Sequence, residues 1–397
     1  MKVFATMEDV KDEVSVGKIG HARVSTYRIA RNFFLFLVIG LGFAIFSINI
    51  IRYFRVPIPN VLTPVETTPK APAPVHSISK PCFEESSTLE SWIKAPSSLL
   101  HAMNDTELMW RASFVPRVRK YPFSRIPKIA FMFLTTGSLP LAPLWERFFK
   151  SHEGLYSIYI HSIPSYSPNY QTTSVFYGRQ IPSQGVWWGS MSMCDAERRL
   201  LANALLDISN EWFILLSEAC IPLQNFSIIY RYISRSWHSF MGAFDEDGPF
   251  GRGRYDPRMM PEVSLDQWRK GAQWFEVSRE LAVSIVEDTV YYPKFSEFCM
   301  NGCYPDEHYF QTMLTIWAPH LLANRTLTWV DWSRGGAHPA TYGKDDVNRE
   351  FFMKQIFEGQ RCDYNYQPST LCVLFARKFA PSALDSLLEI AWDVFGF

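Results

Sequence analysis

Three short stretches combine residue types that could do chemistry. Pro305-Asp306-Glu307 sets two carboxylates side by side, ahead of Phe310, Met313, Leu314 and Trp317 at i, i+3, i+4 and i+7. A carboxylate fixed there could act as a general base, taking the proton of an attacking hydroxyl. The same residues are also ordinary helix-start chemistry, because proline fits the first helical position and acids meet the positive end of the helix dipole. Arg377-Lys378 lies just before Pro381-Ser382, where Leu384, Leu387, Leu388 and Ala391 begin an apolar helical face. Free N–H groups beside a lysine make an anion site, or the pair is a solvated basic turn. Asp245-Glu246-Asp247 has the spacing to hold Mn²⁺ or Mg²⁺ through carboxylates. Followed by Gly248, it also reads as a solvated turn.

The elements that must position these residues alternate. Short apolar runs at 129–134, 157–161, 212–216 and 240–244 read as buried strands. Helical patterns occupy 144–150, 195–206, 228–234 and 278–286, with further helices expected to start at Pro305 and at Pro381 or Ser382. Short buried strands separated by helices predict an α/β domain: a Rossmann-type, mostly parallel sheet with helices on both faces. In such sheets ligands bind at the carboxyl ends of the strands. Thr135, Thr136 and Gly137 end the first strand and are expected there. No internal repeat, P-loop or G-x-G-x-x-G fingerprint is present.

The 397 residues, 47% hydrophobic and 16% aromatic, suffice for one catalytic-sized core with appendages. Lysine plus arginine and aspartate plus glutamate each number 39, a balance that argues against nucleic acid as a partner. Residues 33–51 carry no ionisable group and lie between Arg31 and Arg52; as a helix they would span about 28 Å, close to a bilayer core. Lys18, Arg23, Arg28 and Arg31 precede this span, which orients residues 1–32 to the cytosol and the rest to the lumen. Residues 52–100 are rich in proline, serine and threonine and read as an extended stem, leaving 101–397 as the globular domain. The N-glycosylation patterns at Asn104, Asn225 and Asn324 and all seven cysteines fall beyond the anchor, and the cysteines allow up to three bridges. Self-association stays open.

Four stretches sharpen this reading. "WFILLSEACIPL" (212–223), "FEVSRELA" (275–282), "YPDEHYFQTM" (304–313) and "LFARKF" (374–379) resemble, in this order, the core-2/I-branching β-1,6-N-acetylglucosaminyltransferases. The similarity is greatest to the plant core-2/I-branching-like group and runs from about residue 126 to the C-terminus. The resemblance implies a GT-A-like fold and a Golgi type II membrane enzyme. Such an enzyme would transfer a GlcNAc-like sugar from a UDP-sugar to a glycan hydroxyl, with inversion, forming a β-1,6 branch. It implies Glu307 as general base, no metal cofactor, and Lys378 with Arg361 on the diphosphate. Asp195 and Trp188 resemble positions near the donor. Trp332 resembles an aromatic beside the acceptor sugar, and Asp245, Asp247, Arg252 and Arg254 fall in an acceptor-binding loop. The sequence departs from the animal enzymes in its cysteine pattern and between Arg334 and Arg361. Two alternatives remain: a metal-dependent transferase using Asp245 and Asp247, and a non-catalytic membrane-anchored lectin or scaffold with the same fold.

Overall fold

The first strand, "KIAFMFL", has apolar side chains on both of its faces, so it needs cover on both. The computed structural model supplies that cover. It describes Leu89 and residues 93–116, 120–300 and 302–397. The expected cytosolic arm, the anchor at 33–51 and nearly all of the stem lie outside the described residues, as does Cys82. Among the described residues, no helix is long and apolar enough to cross a membrane.

Strand β1 (Lys128–Leu134) is central, with β2 (Tyr156–His161) and β3 (Asn210–Ser217) parallel on either side. The order is β2-β1-β3-β5, and only β5 (Glu276–Ser278) is antiparallel. One face of β1 sends Ile129, Phe131 and Phe133 into a core with helices α2 (Ala142–Phe149) and α4 (Phe226–Ser234) and the C-terminal helix. The alternate residues Ala130, Met132 and Leu134 enter a second core with α3 (Met191–Leu205), α5 (Arg279–Glu287) and α7 (Tyr309–Trp317). Helix α1 (Asp105–Ala112) and α6 (Tyr291–Phe298) flank this second core, and α8 (Leu384–Phe395) closes the chain. The period-2 alternation of the strand thus fills two layers at once. Trp145 of α2 anchors the first layer: it is 1% exposed, and its Nε1–H donates to the Cys220 carbonyl at 3.1 Å.

A second sheet, in the order β4-β9-β6, is built from β4 (Ile221–Pro222), β6 (Thr328–Val330) and β9 (Phe375–Arg377). A hairpin of β7 (Cys362–Tyr364) and β8 (Gln367–Ser369) precedes β9. Glu276 ties the two sheets together. Fully buried on β5, it accepts from the Leu327 N–H at 3.2 Å and the Thr328 hydroxyl at 3.4 Å. Burial pushes its carboxyl up to about 8. The unfolded chain releases that proton near pH 4.3, so raising the pH from there to about 8 favours unfolding. Glu276→Gln is therefore expected to flatten the decline of the melting temperature over this window, read by calorimetry at a series of pH values. An unchanged slope would contradict a protonated Glu276.

Two expectations differ from what is observed. Residues 240–244 form no strand; Phe240 and Phe244 make only isolated bridges, to Glu276 and Lys270. The glycine at 242 and the turn-forming acids after 244 interrupt the ladder. Nor does one helix run from Pro305. Pro305–Glu307 is a single 3₁₀ turn, entered through Tyr304 at φ 56° and separated from α7 by His308 at φ −133°. Of the cysteines, Cys299 is bridged to Cys303 and Cys362 to Cys372, while Cys194 and Cys220 are buried thiols.

Candidate active site

The break before α7 leaves the Glu307 side chain 28% exposed, beside two buried neighbours, Asp306 and His308. Arg254 reaches it from a loop 53 residues away in sequence: its Nη1 donates to Glu307 Oε2 at 2.8 Å. The same nitrogen lies 3.4 Å from His308 Nε2. His308 Nδ1 faces the Arg269 carbonyl at 2.8 Å, so that nitrogen carries the proton and Nε2 is an acceptor. Burial holds the His308 imidazole down at about 3, which keeps it neutral. The guanidinium of Arg254 also lies over the Tyr304 ring at 4.4 Å. One carboxylate oxygen of Glu307 is thereby held by a cation that is itself held on three sides.

The backbone of the turn is fastened too. Gly271 N–H donates to the Glu307 carbonyl at 2.9 Å. A Cβ at Gly271 would meet the Gly242 carbonyl oxygen at 1.7 Å and Gln311 Cγ at 2.9 Å. Gly271→Ala is therefore expected to destabilise the domain by at least about 1–3 kcal/mol in a urea titration and to lower activity, because the displaced loop is hydrogen-bonded to the turn that carries Glu307. Wild-type stability in that variant would mean the loop yields freely.

An aromatic group adjoins the turn. The Trp188 ring packs edge-on to Tyr304 at 4.9 Å and against His338 at 4.9 Å, yet stays 55% exposed. Gly189, at φ 72°, allows this approach, since a Cβ there would come within 2.9 Å of the Tyr304 ring. His338 belongs to the loop after β6, which continues to Ala340 and Tyr342. The carbonyl of Ala340 accepts from the Lys378 N–H at 3.4 Å, and Tyr342 N–H donates to the Lys378 carbonyl at 2.9 Å. The 338–342 loop thus bonds to the Lys378 backbone at one end and packs, through His338, on Trp188, whose neighbour Tyr304 supports Arg254.

At the Lys378 end, the carboxyl termini of β1, β3 and β9 meet. Thr136 Oγ1 donates to Glu218 Oε1 at 2.9 Å, and Thr135 Oγ1 donates to the Gly137 carbonyl at 2.9 Å. The Phe379 N–H donates to the Ala219 carbonyl at 3.0 Å. Burial and the neighbouring Arg377 push the Lys378 amine below its ordinary range, opposed by Glu218. Arg377 lies over the Trp274 ring at 4.1 Å, and its Nε is buried without a hydrogen-bond partner. Arg361 is exposed at the start of the β7–β8 hairpin, lining an open cavity of about 860 Å³ with Cys362, Asp363 and Ser369.

The acidic loop is paired within itself. Arg252 holds both oxygens of Asp245, at 2.7 and 2.6 Å, and approaches Asp247 at 3.2 Å. This guanidinium keeps the Asp245 carboxyl below its usual range. Glu246 pairs with Lys270 at 3.2 Å. Among the described residues, no group of three or more histidine, cysteine or acidic side chains could hold a metal ion. Asp195 Oδ1 accepts from the Tyr292 hydroxyl at 2.7 Å, and Trp332, beyond β6, is 52% exposed. Asn104 and Asn225 cap α1 and α4 by accepting from Glu107 N–H and Ile228 N–H, each at 3.0 Å. Asn324 accepts from the Ala243 N–H at 2.7 Å; it and Asn104 are exposed, whereas Asn225 is half-buried.

Sequence reasoning did not single out Tyr304, His338 or Glu218 as site residues, and it named Arg377 only as the partner of Lys378 in a basic pair.

Residues 129–356 match the Core-2/I-Branching enzyme family model, over more than half of the chain. The chain is also 36% identical over 312 residues to Glycosyltransferase BC10 of Oryza sativa subsp. japonica, an alignment that covers 66% of this chain and 76% of that protein.

Proposed function

Because the chain belongs to the core-2/I-branching enzyme family and is a glycosyltransferase, we propose that it transfers a GlcNAc-like sugar from a UDP-sugar to a glycan hydroxyl. The transfer proceeds with inversion, needs no metal and forms a β-1,6 branch. One observation carries the reading: the half-exposed Glu307 carboxylate, oriented by Arg254 on a turn whose flanking residues are buried.

In this reaction the acceptor hydroxyl attacks the anomeric carbon from the face opposite the diphosphate. Glu307 takes the hydroxyl proton as the new C–O bond forms, and the old bond breaks with its electron pair leaving on the diphosphate. The departing diphosphate needs fixed positive charge. Lys378 supplies it at the strand ends, with Arg361 as the second cation of the family resemblance and Arg377 adding charge beside Lys378. Trp188, between the cation and the base, offers a ring face to the C–H side of the sugar in transit. Asp245 and Asp247, turned toward Arg252, fit an acceptor loop better than a cation cage. The anchor at 33–51, Golgi residence and a lumenal catalytic domain belong to the same proposal, which rests there on the sequence pattern.

The test is transfer by the full chain in detergent, across a panel of UDP-sugars in excess EDTA. Turnover with one donor that survives EDTA supports the metal-free reading and names the donor. Activity that vanishes in EDTA and returns with Mn²⁺ would transfer the leading role to Asp245 and Asp247.

A further inference from the structure

Beneath the turn that carries Glu307, the chain buries three oxygen acceptors with no donor. Asp306 Oδ1, Glu197 Oε2 and Gln311 Oε1 are each buried without a hydrogen-bond partner, and their residues are 4%, 0% and 0% exposed. The other side-chain polar atoms of Glu197 and Gln311 are committed. Glu197 Oε1 accepts from Gln273 Nε2 at 2.7 Å. Gln311 Nε2 donates to the Ala272 carbonyl at 2.9 Å and to the Asp306 carbonyl at 3.1 Å, which turns its own oxygen the other way. Helix α3, which carries Glu197, packs directly on the Pro305–Glu307 turn. Bare acceptors cannot satisfy one another, and a buried ionised carboxyl with no partner is far costlier than a neutral one.

We infer that Glu197 and Asp306 are a proton-holding pair: each carboxyl keeps its own acid proton, which supplies the donors that the unpartnered oxygens lack and keeps a second negative charge away from Glu307. Both residues are positioning residues, and the inference rests on Glu307 being the base. With the pair protonated, Arg254 has one carboxylate to serve and stays on Glu307 Oε2. With Asp306 ionised, two adjacent carboxylates compete for one guanidinium.

The surroundings favour the acid form. The groups facing the pair are Glu307 and Arg254 on the Asp306 side, and Asp195 and the Cys194 thiol on the α3 side, with Arg198 beyond them. Burial first, and Glu307 second, raise Asp306 to about 7. Burial, then Asp306, raise Glu197 well above the usual carboxylate range.

Asp306→Asn and Glu197→Gln keep the shape and mimic the protonated state. For the wild type, kcat/KM should fall about tenfold per pH unit above 7, and in Asp306→Asn this alkaline limb should vanish. A purely structural asparagine substitution would lower the rate without changing the profile; a uniform loss of that kind overturns the inference. A second readout is independent of turnover. Infrared difference spectra of the full chain should show a protonated-carboxyl band at pH 6, part of which is lost in Asp306→Asn and part in Glu197→Gln. Glu276 contributes its own band, so the component lost in these variants is the measurement, and its absence overturns the inference. Glu307→Gln should keep that component. If Glu307→Gln retained full activity, the base assignment would fall while the pair itself stood.

Discussion

Glu307→Gln is expected to lower kcat for transfer by about 10²–10⁴-fold while leaving the KM for the UDP-sugar within a few-fold. The substitution isolates basicity from placement. The amide oxygen of glutamine still accepts from Arg254 Nη1, which holds the carboxylate at 2.8 Å, and the Gly271 N–H still grips the backbone carbonyl. What is lost is the ability to take a proton. If kcat fell by less than threefold, Glu307 would be a structural member of the turn and the proton acceptor would lie elsewhere. A loss of donor affinity equal to the loss in kcat would place Glu307 at the donor instead.

Lys378→Ala should cost about 10²–10³-fold in kcat and weaken UDP binding as well, because a fixed cation that meets charge developing on the leaving group acts mainly in the transition state. The backbone of Lys378 is held by Ala340 and Tyr342, so truncating its side chain leaves the strand end in place. Lys378→Arg, which restores the charge on a longer and differently shaped head, should recover part of the rate. A folding defect would not discriminate in this way. Full activity of Lys378→Ala, together with a large loss in Arg377→Ala, would move the role to the neighbouring residue.

The layers of the fold were legible because they depend on local pattern. The runs around Phe131, Ile158 and Ile214 are continuous and apolar, as strands covered on both faces must be, and the helices between them show a 3.6-residue stripe. The segment at 240–244 read as a strand for the same reason, yet its backbone bonds to Glu276 and Lys270 are isolated. The candidate site was legible only one residue at a time. Glu307 and Lys378 lie in recognisable stretches, but the Arg254 grip, the Trp188–Tyr304 contact and the burial of Glu197 next to Asp306 are tertiary facts. Each joins elements tens of residues apart or more, and nothing in the local spacing announces them. A glutamate on the helix containing "DAERRLL" looks like any amphipathic helix acid until the turn at Pro305 packs over it.

The Cys299–Cys303 bridge ties off the chain immediately before Tyr304, whose ring supports Arg254 and, through it, Glu307. A host that keeps thiols reduced would deliver the same polypeptide with this knot untied. The compartment in which the protein is made therefore acts as a reagent in every assay of the base. A weak preparation from a reducing cytosol would mimic a Glu307 variant without any change in sequence. Counting free thiols before measuring turnover separates a host artefact from a property of the enzyme.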